Sequence, residues 1–241
     1  MDTGATGHES QMENNSSSEE NLLNAIAREI QSEIEEIKHD SQRPLIQDRI
    51  IFCVDPLIRE VYEAAFRVNS VVIGRLCCYD SYFRQIEMQK SIYLDSFLKR
   101  AEKKASLNAF IKLIKDSEDR IQGCYGEICS HCSGTLYYTR RYNDDPVWFI
   151  RLVLVDASFI IELFLKAYKS ERGETDFIFN TPGKMHDIRR DLFLAHNQLP
   201  FFILKDIYEL AFGGNPAYPS FLHLTCHFFS LITTKTNPLR I

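Results

Sequence analysis

Apolar residues recur at helical spacing along most of this chain. Leu23, Ala27, Ile30, Ile34 and Ile37 step by 4, 3, 4 and 3, the a/d spacing of a coiled coil. The pattern lasts about two heptads, short of the three or four that specify a coiled coil. We therefore read residues 18–39 as an amphipathic helix packing on its own domain, with a homodimer through residues 23–37 as the alternative. Ser17 followed by Glu20 is a capping box that opens it. Residues 1–17 hold too little apolar surface to offset ordering entropy and are predicted to be a disordered tail.

Beyond the break at Asp40-Ser41-Gln42-Arg43-Pro44, the β-favouring run Ile50-Ile51-Phe52-Cys53-Val54 predicts a short extended segment closed by Pro56. Residues 70–80 read as irregular around Gly74. A helix over 82–104 carries Phe83, Ile86, Leu94, Phe97, Leu98 and Ala101 on one face. Leu107, Phe110, Ile111, Ile114, Ile121 and Tyr125 make a second stripe. A loop over 126–145 ends in Asn143-Asp144-Asp145-Pro146, a helix start. Helices are predicted over 147–169 and 185–194, separated by a polar loop. A further helix over 200–212 has Pro200 in its first turn and ends at Gly213-Gly214. The last runs from Pro219 to about Ile232. Strand signals are sparse and no repeat is present. The expected fold is mainly α: a single irregular helical domain over 40–241 with short extended segments, behind an acidic, disordered N-terminus.

Two of these apolar stretches are interrupted by polar residues. Asp156 lies inside Leu152–Glu162, and Asn197 and Gln198 lie inside Asp191–Phe202. A buried carboxylate or amide without a partner costs several kcal/mol. Asp156 is five residues after Arg151 and six before Glu162, so neither shares a close helical face with it. We expect Asp156 to be buried and to accept hydrogen bonds from Asn197, Gln198 or nearby backbone N–H groups, pinning residues 191–202 to the 147–169 helix. The alternative is that Asp156 sits on the solvent side of that helix.

Charge narrows the function classes. The net charge is −5; residues 1–40 carry −8 and residues 41–241 carry +3. Neither part makes the basic field that nucleic acid requires. Seven cysteines and a polar start without an apolar signal core point to reduced thiols in the cytosol rather than secretion. The most apolar stretch, 147–165, contains Arg151, Asp156 and Glu162. Arg or Asp costs roughly 2.5–3.5 kcal/mol at the centre of a bilayer, so no transmembrane segment is expected.

Candidate chemistry is thin. Cys124, Cys129 and Cys132 match three ligands of a plant-type iron–sulfur site, with His131 beside them, but the next cysteine is Cys226. His223 and His227 share a helical face, yet Leu224 stands where a zinc hydrolase needs Glu. There is no Gly-x-Ser-x-Gly elbow, Walker loop or dinucleotide fingerprint. No catalytic, metal or cofactor residue is assigned.

The interrupted segments carry a resemblance. Ile51-Phe52-Cys53-Val54, Val71-Val72-Ile73-Gly74 and Ile86-Glu87-Met88-Gln89-Lys90 are three of its motifs. The others are Leu154-Val155-Asp156-Ala157-Ser158-Phe159-Ile160-Ile161-Glu162 and Leu194-Ala195-His196-Asn197-Gln198-Leu199-Pro200-Phe201-Phe202. In this order they resemble the signatures of the plant family known as domain of unknown function 247, over about residues 20–235. Departures include His196 where the family usually has Glu, and Cys77-Cys78 where it often has paired histidines. Members tend to be longer and to end in a hydrophobic membrane anchor, so the resemblance implies a short or truncated member lacking it. It implies no catalytic activity and no cofactor. Some members are associated with reproductive recognition, including self-incompatibility. The resulting expectation is a non-enzymatic module that binds unidentified protein partners, cytoplasmic or peripherally membrane-associated. An unrecognised enzyme with a polar cleft at Asp156, Asn197 and Gln198, or a decayed paralogue, is the alternative.

Overall fold

The computed structural model describes residues 24–35, 50–52, 54–74, 83–126, 146–171 and 173–233. The chain divides into two units, Met1–Asp48 and Arg49–Ile241. In the first, residues 24–35 form helix α1, on which Ile26, Ile30 and Ile34 are exposed. The tail at 1–17, the capping box, Leu23 and Ile37 lie outside the described residues.

The second unit is built of α2 (Pro56–Val61), α3 (Glu63–Phe66), α4 (Arg84–Ala101), α5 (Leu107–Asp116), α6 (Glu118–Gly123) and α7 (Pro146–Lys169). It continues with α8 (Phe177–Asn180), α9 (Lys184–Asp191), α10 (Phe201–Phe212) and α11 (Phe221–Thr233). The described residues contain no strand. The extended run near Ile51 makes one isolated parallel bridge, to Tyr125. The fold is mainly α, as the periodicity indicates.

α7 is the centre of this unit. Its 24 residues extend about 36 Å, and α4, α5, α10 and α11 all pack on it. A helix covered from several sides is apolar all round, and Phe149, Val153, Ala157, Phe159, Ile161 and Leu165 are buried. Aromatic rings join the layers: Tyr93 stacks on Phe159 at 5.6 Å, Phe164 on Phe228 at 4.3 Å, and Phe97 meets Phe212 edge-on at 5.8 Å. Such pairs add roughly 0.5–1.5 kcal/mol each beyond area burial.

α4 departs from its expected face. Ile86, Gln89, Lys90, Tyr93, Phe97 and Ala101 are buried, whereas Leu94 and Leu98 are half-buried. This is the true three-and-four spacing of one helical stripe; two polar residues inside it disguised the register. Polar pairs also tie α4 to α7. Arg100 Nε donates at 3.0 Å to both oxygens of fully buried Glu162, and its guanidinium reaches Glu171. Contacts of 90 with 156, 93 with 159 and 100 with 162 mean that the two helices run side by side in the same direction.

Local punctuation explains the other differences. Pro56 ends the extended run by opening α2: it sits in the first turn of that helix, where Asp55 Oδ1 accepts the Leu57 N–H at 2.8 Å. Pro200 occupies the cap of α10 rather than its first turn. The 107–125 stripe breaks at Ser117 into α5 and α6. The polar loop before α9 contains α8, capped by Asp176, which accepts from Ile178 N–H at 3.1 Å and Phe179 N–H at 3.4 Å. Its other oxygen accepts the Tyr93 hydroxyl at 2.7 Å, and Gln89 Oε1 accepts the Phe177 N–H at 3.2 Å. α4 thereby holds the start of α8 in place. Of the 126–145 loop, residues 127–145 lie outside the described residues.

Removing the Tyr93 hydroxyl takes one donor from a buried carboxylate. Tyr93→Phe should lower stability by about 2 kcal/mol in urea denaturation at neutral pH, the scale of a hydrogen bond to a charged group, without loss of helical circular dichroism.

Candidate functional site

Residues 69–74, Asn69-Ser70-Val71-Val72-Ile73-Gly74, form an extended strap that belongs to no helix and no sheet. From Ser70 to Gly74 it is buried. Buried backbone groups must still be satisfied, and here side chains from three directions do it.

α9 supplies the first. Asp191, fully buried at its end, accepts the N–H groups of Asn69 (3.1 Å), Ser70 (2.6 Å) and Val71 (3.0 Å). Burial pushes this carboxyl above its ordinary range, against the pull of those backbone donors and of Arg190. Arg190 donates to the carbonyls of Ala64 (2.7 Å) and Arg67 (3.1 Å), capping α3 immediately before the strap.

The turn after α9 supplies the second. Asn197, fully buried, accepts the Ile73 N–H through Oδ1 at 2.7 Å. Its Nδ2 donates to the Val71 carbonyl at 2.9 Å and the Asp191 carbonyl at 3.0 Å. α9 therefore ends at Asp191, earlier than the 185–194 spacing suggests, and residues 192–200 turn so that Asn197 can face the strap.

The third is an ion pair between α4 and α7. Lys90 Nζ donates to Asp156 Oδ1 at 2.8 Å, to the Val72 carbonyl at 2.5 Å and to Glu87 Oε1 at 2.8 Å. Its three donors thus meet three acceptors. Asp156 Oδ2 accepts the Gly74 N–H at 2.9 Å. Lys90 and Asp156 are each 2% exposed. Burial works against the ammonium, but the carboxylates of Asp156 and Glu87 more than offset it and hold Lys90 above its ordinary value. Burial also raises the Asp156 carboxyl, against the pull of Lys90 and of the Gly74 N–H.

Gly74 closes the strap with φ +71; a Cβ there would lie 2.3 Å from the Gln198 carbonyl oxygen. That carbonyl accepts the Tyr125 hydroxyl at 3.0 Å. Only glycine permits both the left-handed backbone and this approach.

Asp156 is buried, not on the solvent side of its helix, but its side-chain partner is Lys90 rather than Asn197 or Gln198. Asn197 holds the neighbouring residue of the same strap, so the two act on one segment without touching. Gln198 stands apart: its amide lies 3.5 Å from the Leu192 carbonyl and makes no bond to Asp156. Sequence reasoning missed Lys90, Asp191, Arg190 and Glu162. A carboxylate inside an apolar helix calls for a cation from elsewhere, and Lys90, inside a quoted motif, was the available signal.

Among the described residues no cluster of three or more His, Cys, Asp or Glu could hold a metal. Cys129, His131 and Cys132 lie outside them; Cys124 is buried and Cys226 exposed, both as thiols. His223 and His227 both meet Tyr168 edge-on, at 5.8 and 5.0 Å. No described helix is long and apolar enough to cross a membrane. The arrangement fixes backbone; it presents no uncommitted nucleophile or base at Asp156 or Asn197.

His196 is buried beside this turn. Burial, then the positive charge of Arg59, lowers its pKa to about 4, against a hydrogen bond with the Phe66 backbone. The imidazole is neutral at pH 7.

These features coincide with a family. A family model described as a plant protein of unknown function, domain of unknown function 247, matches residues 51–239, and the chain belongs to that plant family. Two Arabidopsis thaliana relatives are similar: UPF0481 protein At3g47200, 28% identical over 159 residues, and Putative UPF0481 protein At3g02645, 24% identical over 184. The matches cover 66% and 76% of this chain but 30% of each relative, so the chain spans less than a third of their length. No solved structure matches it significantly.

Two outcomes test the site. Lys90→Met leaves Asp156 buried without its cation and should cost about 3–5 kcal/mol in urea denaturation. Adding Asp156→Leu should recover part of that loss, the remainder being the Gly74 N–H and the Val72 carbonyl that lose these partners. For His196, the unfolded chain takes up a proton near pH 6.5 and the folded chain near pH 4. Stability contributed by the neutral ring is full above that window and falls as pH drops through it, by about 2 kcal/mol between pH 7.5 and 5. Asp191, with its raised value, acts in the opposite direction, so the measure is the difference between the parent and His196→Gln, which should lack this component.

Proposed function

We propose that this chain is a non-enzymatic protein-interaction module whose contact surface centres on α2. The observation that carries this reading is a contrast in how apolar side chains are used. Leu57, Ile58, Val61 and Tyr62 are 49–73% exposed together on α2 and at its end, whereas on α4, α7, α10 and α11 most apolar residues are buried and the exposed ones, such as Met88, Val147, Phe201 and Leu222, are scattered. Contiguous exposed apolar surface of this kind marks association sites. The polar groups that an enzyme would use are spent on the strap, which supports binding over catalysis. The family analogy adds reproductive recognition as the setting and a cytoplasmic or peripherally membrane-associated location.

The test is affinity capture from plant tissue with the full chain and with Leu57→Ser/Val61→Ser. A specific protein should be retained by the parent and lost from the double variant, whose thermal midpoint should stay within a few degrees. Retention of nothing above blank matrix, or equal retention by both chains, would refute the reading.

A further inference from the structure

A pocket of about 210 Å³ opens beside the strap, on the side of Ile73 and the turn at 197–201. Its inner wall is Ile73, Ile160, Phe164, Leu199, Leu204 and Phe221, each less than one-tenth exposed; Ile50 and Phe201 stand exposed at its mouth. We propose that it binds a small uncharged molecule, mainly apolar, built on a single ring or a short branched chain and carrying one N–H or O–H group.

Size sets the first limit. An apolar cavity of about 150 Å³ accommodates one benzene ring, so this pocket takes a ring with a substituent and little more. Charge sets the second. Among the described residues the lining contains no Asp, Glu, Lys, Arg or His, and an ion brought there would lose its hydration without a counter-ion. Hydrogen bonding sets the third. Asn197 lines the pocket, but its oxygen and both amide hydrogens are committed to Ile73, Val71 and Asp191. Gln198 lines it too; among the described residues its Nε2 has only the 3.5 Å contact to Leu192 and its Oε1 accepts no hydrogen bond. The Thr225 hydroxyl donates to the Phe221 carbonyl at 2.9 Å, which leaves its lone pairs to accept. The polar capacity left in the lining is therefore the Gln198 amide, with its oxygen and a second N–H, and the Thr225 lone pairs, which one N–H or O–H group on a ligand can meet. An inserted peptide would bring a series of backbone donors and acceptors that these two groups cannot satisfy.

Ile73 belongs to the strap, and the Gln198 carbonyl meets both Tyr125 and Gly74. A bound molecule would touch the same segment that Asp156 and Asn197 hold. This site is separate from the α2 surface, and either can fail alone.

The test uses the full chain carrying ¹³C-labelled isoleucine δ1-methyl groups, titrated with indole, a neutral ring with one N–H, and in parallel with benzoate, a charged ring of similar size. Indole should move the Ile73 and Ile160 methyl signals saturably, with a midpoint on the order of 0.1–1 mM. Ile114 and Ile178, which line no part of the pocket, should stay in place, and benzoate should leave all four unchanged. Absence of any shift up to the solubility of indole would overturn the proposal. So would shifts spread equally over Ile114 and Ile178, or a benzoate response equal to that of indole.

Discussion

A buried ammonium against a buried carboxylate is the constraint on which this structure is organised. Neither Lys90 nor Asp156 can leave water alone, since the desolvation penalty for each ion is several kcal/mol. Once both are inside, geometry follows. α4 must present residue 90 at the level of residue 156 on α7, and the remaining valences of the pair must find donors and acceptors nearby. The strap provides them: the Val72 carbonyl for the ammonium and the Gly74 amide for the carboxylate. A hydrophobic pair would fill the same space with fewer demands. What the ions add is direction, because they accept only one path for residues 72–74.

The rest of the unit repeats this logic. Arg100 and Glu162 join the same two helices further along, and Tyr93 with Asp176 brings α8 to their flank. Asp191 and Asn197 finish on the strap what Lys90 and Asp156 begin. α7, α9 and the turn after it are thus tied to the strap through side chain to backbone bonds that span 80 residues or more of sequence, and α4 through the Lys90 bond to the Val72 carbonyl. The apolar packing of α7 provides most of the burial, while the polar ties select one arrangement of the covering helices.

Periodicity made the long helices legible, since α4, α5, α7, α10 and α11 each bury a stripe that the chain writes out at three-and-four spacing. Asp156 was legible as an interior group because apolar neighbours surround it on both sides. Its partner was not. Lys90 stands in one of the motifs, but no local rule links residues 66 positions apart. Asp191 and Gln89 were hidden for the same reason: their acceptors serve backbone groups far along the chain, and sequence spacing carries no record of such meetings. α2, α3 and α8 are too short for periodicity to register, though Asp55-Pro56 and Asp176 mark the starts of two of them.

The strap itself has a further consequence. Val71-Val72-Ile73 is a β-branched run with high strand propensity, and its main-chain groups would offer an open edge to another chain. Here carboxylate, amide and ammonium side chains stand in for neighbouring strands. By occupying those groups they deny the segment to intermolecular pairing, and the fold keeps a sticky sequence harmless without building a sheet to contain it.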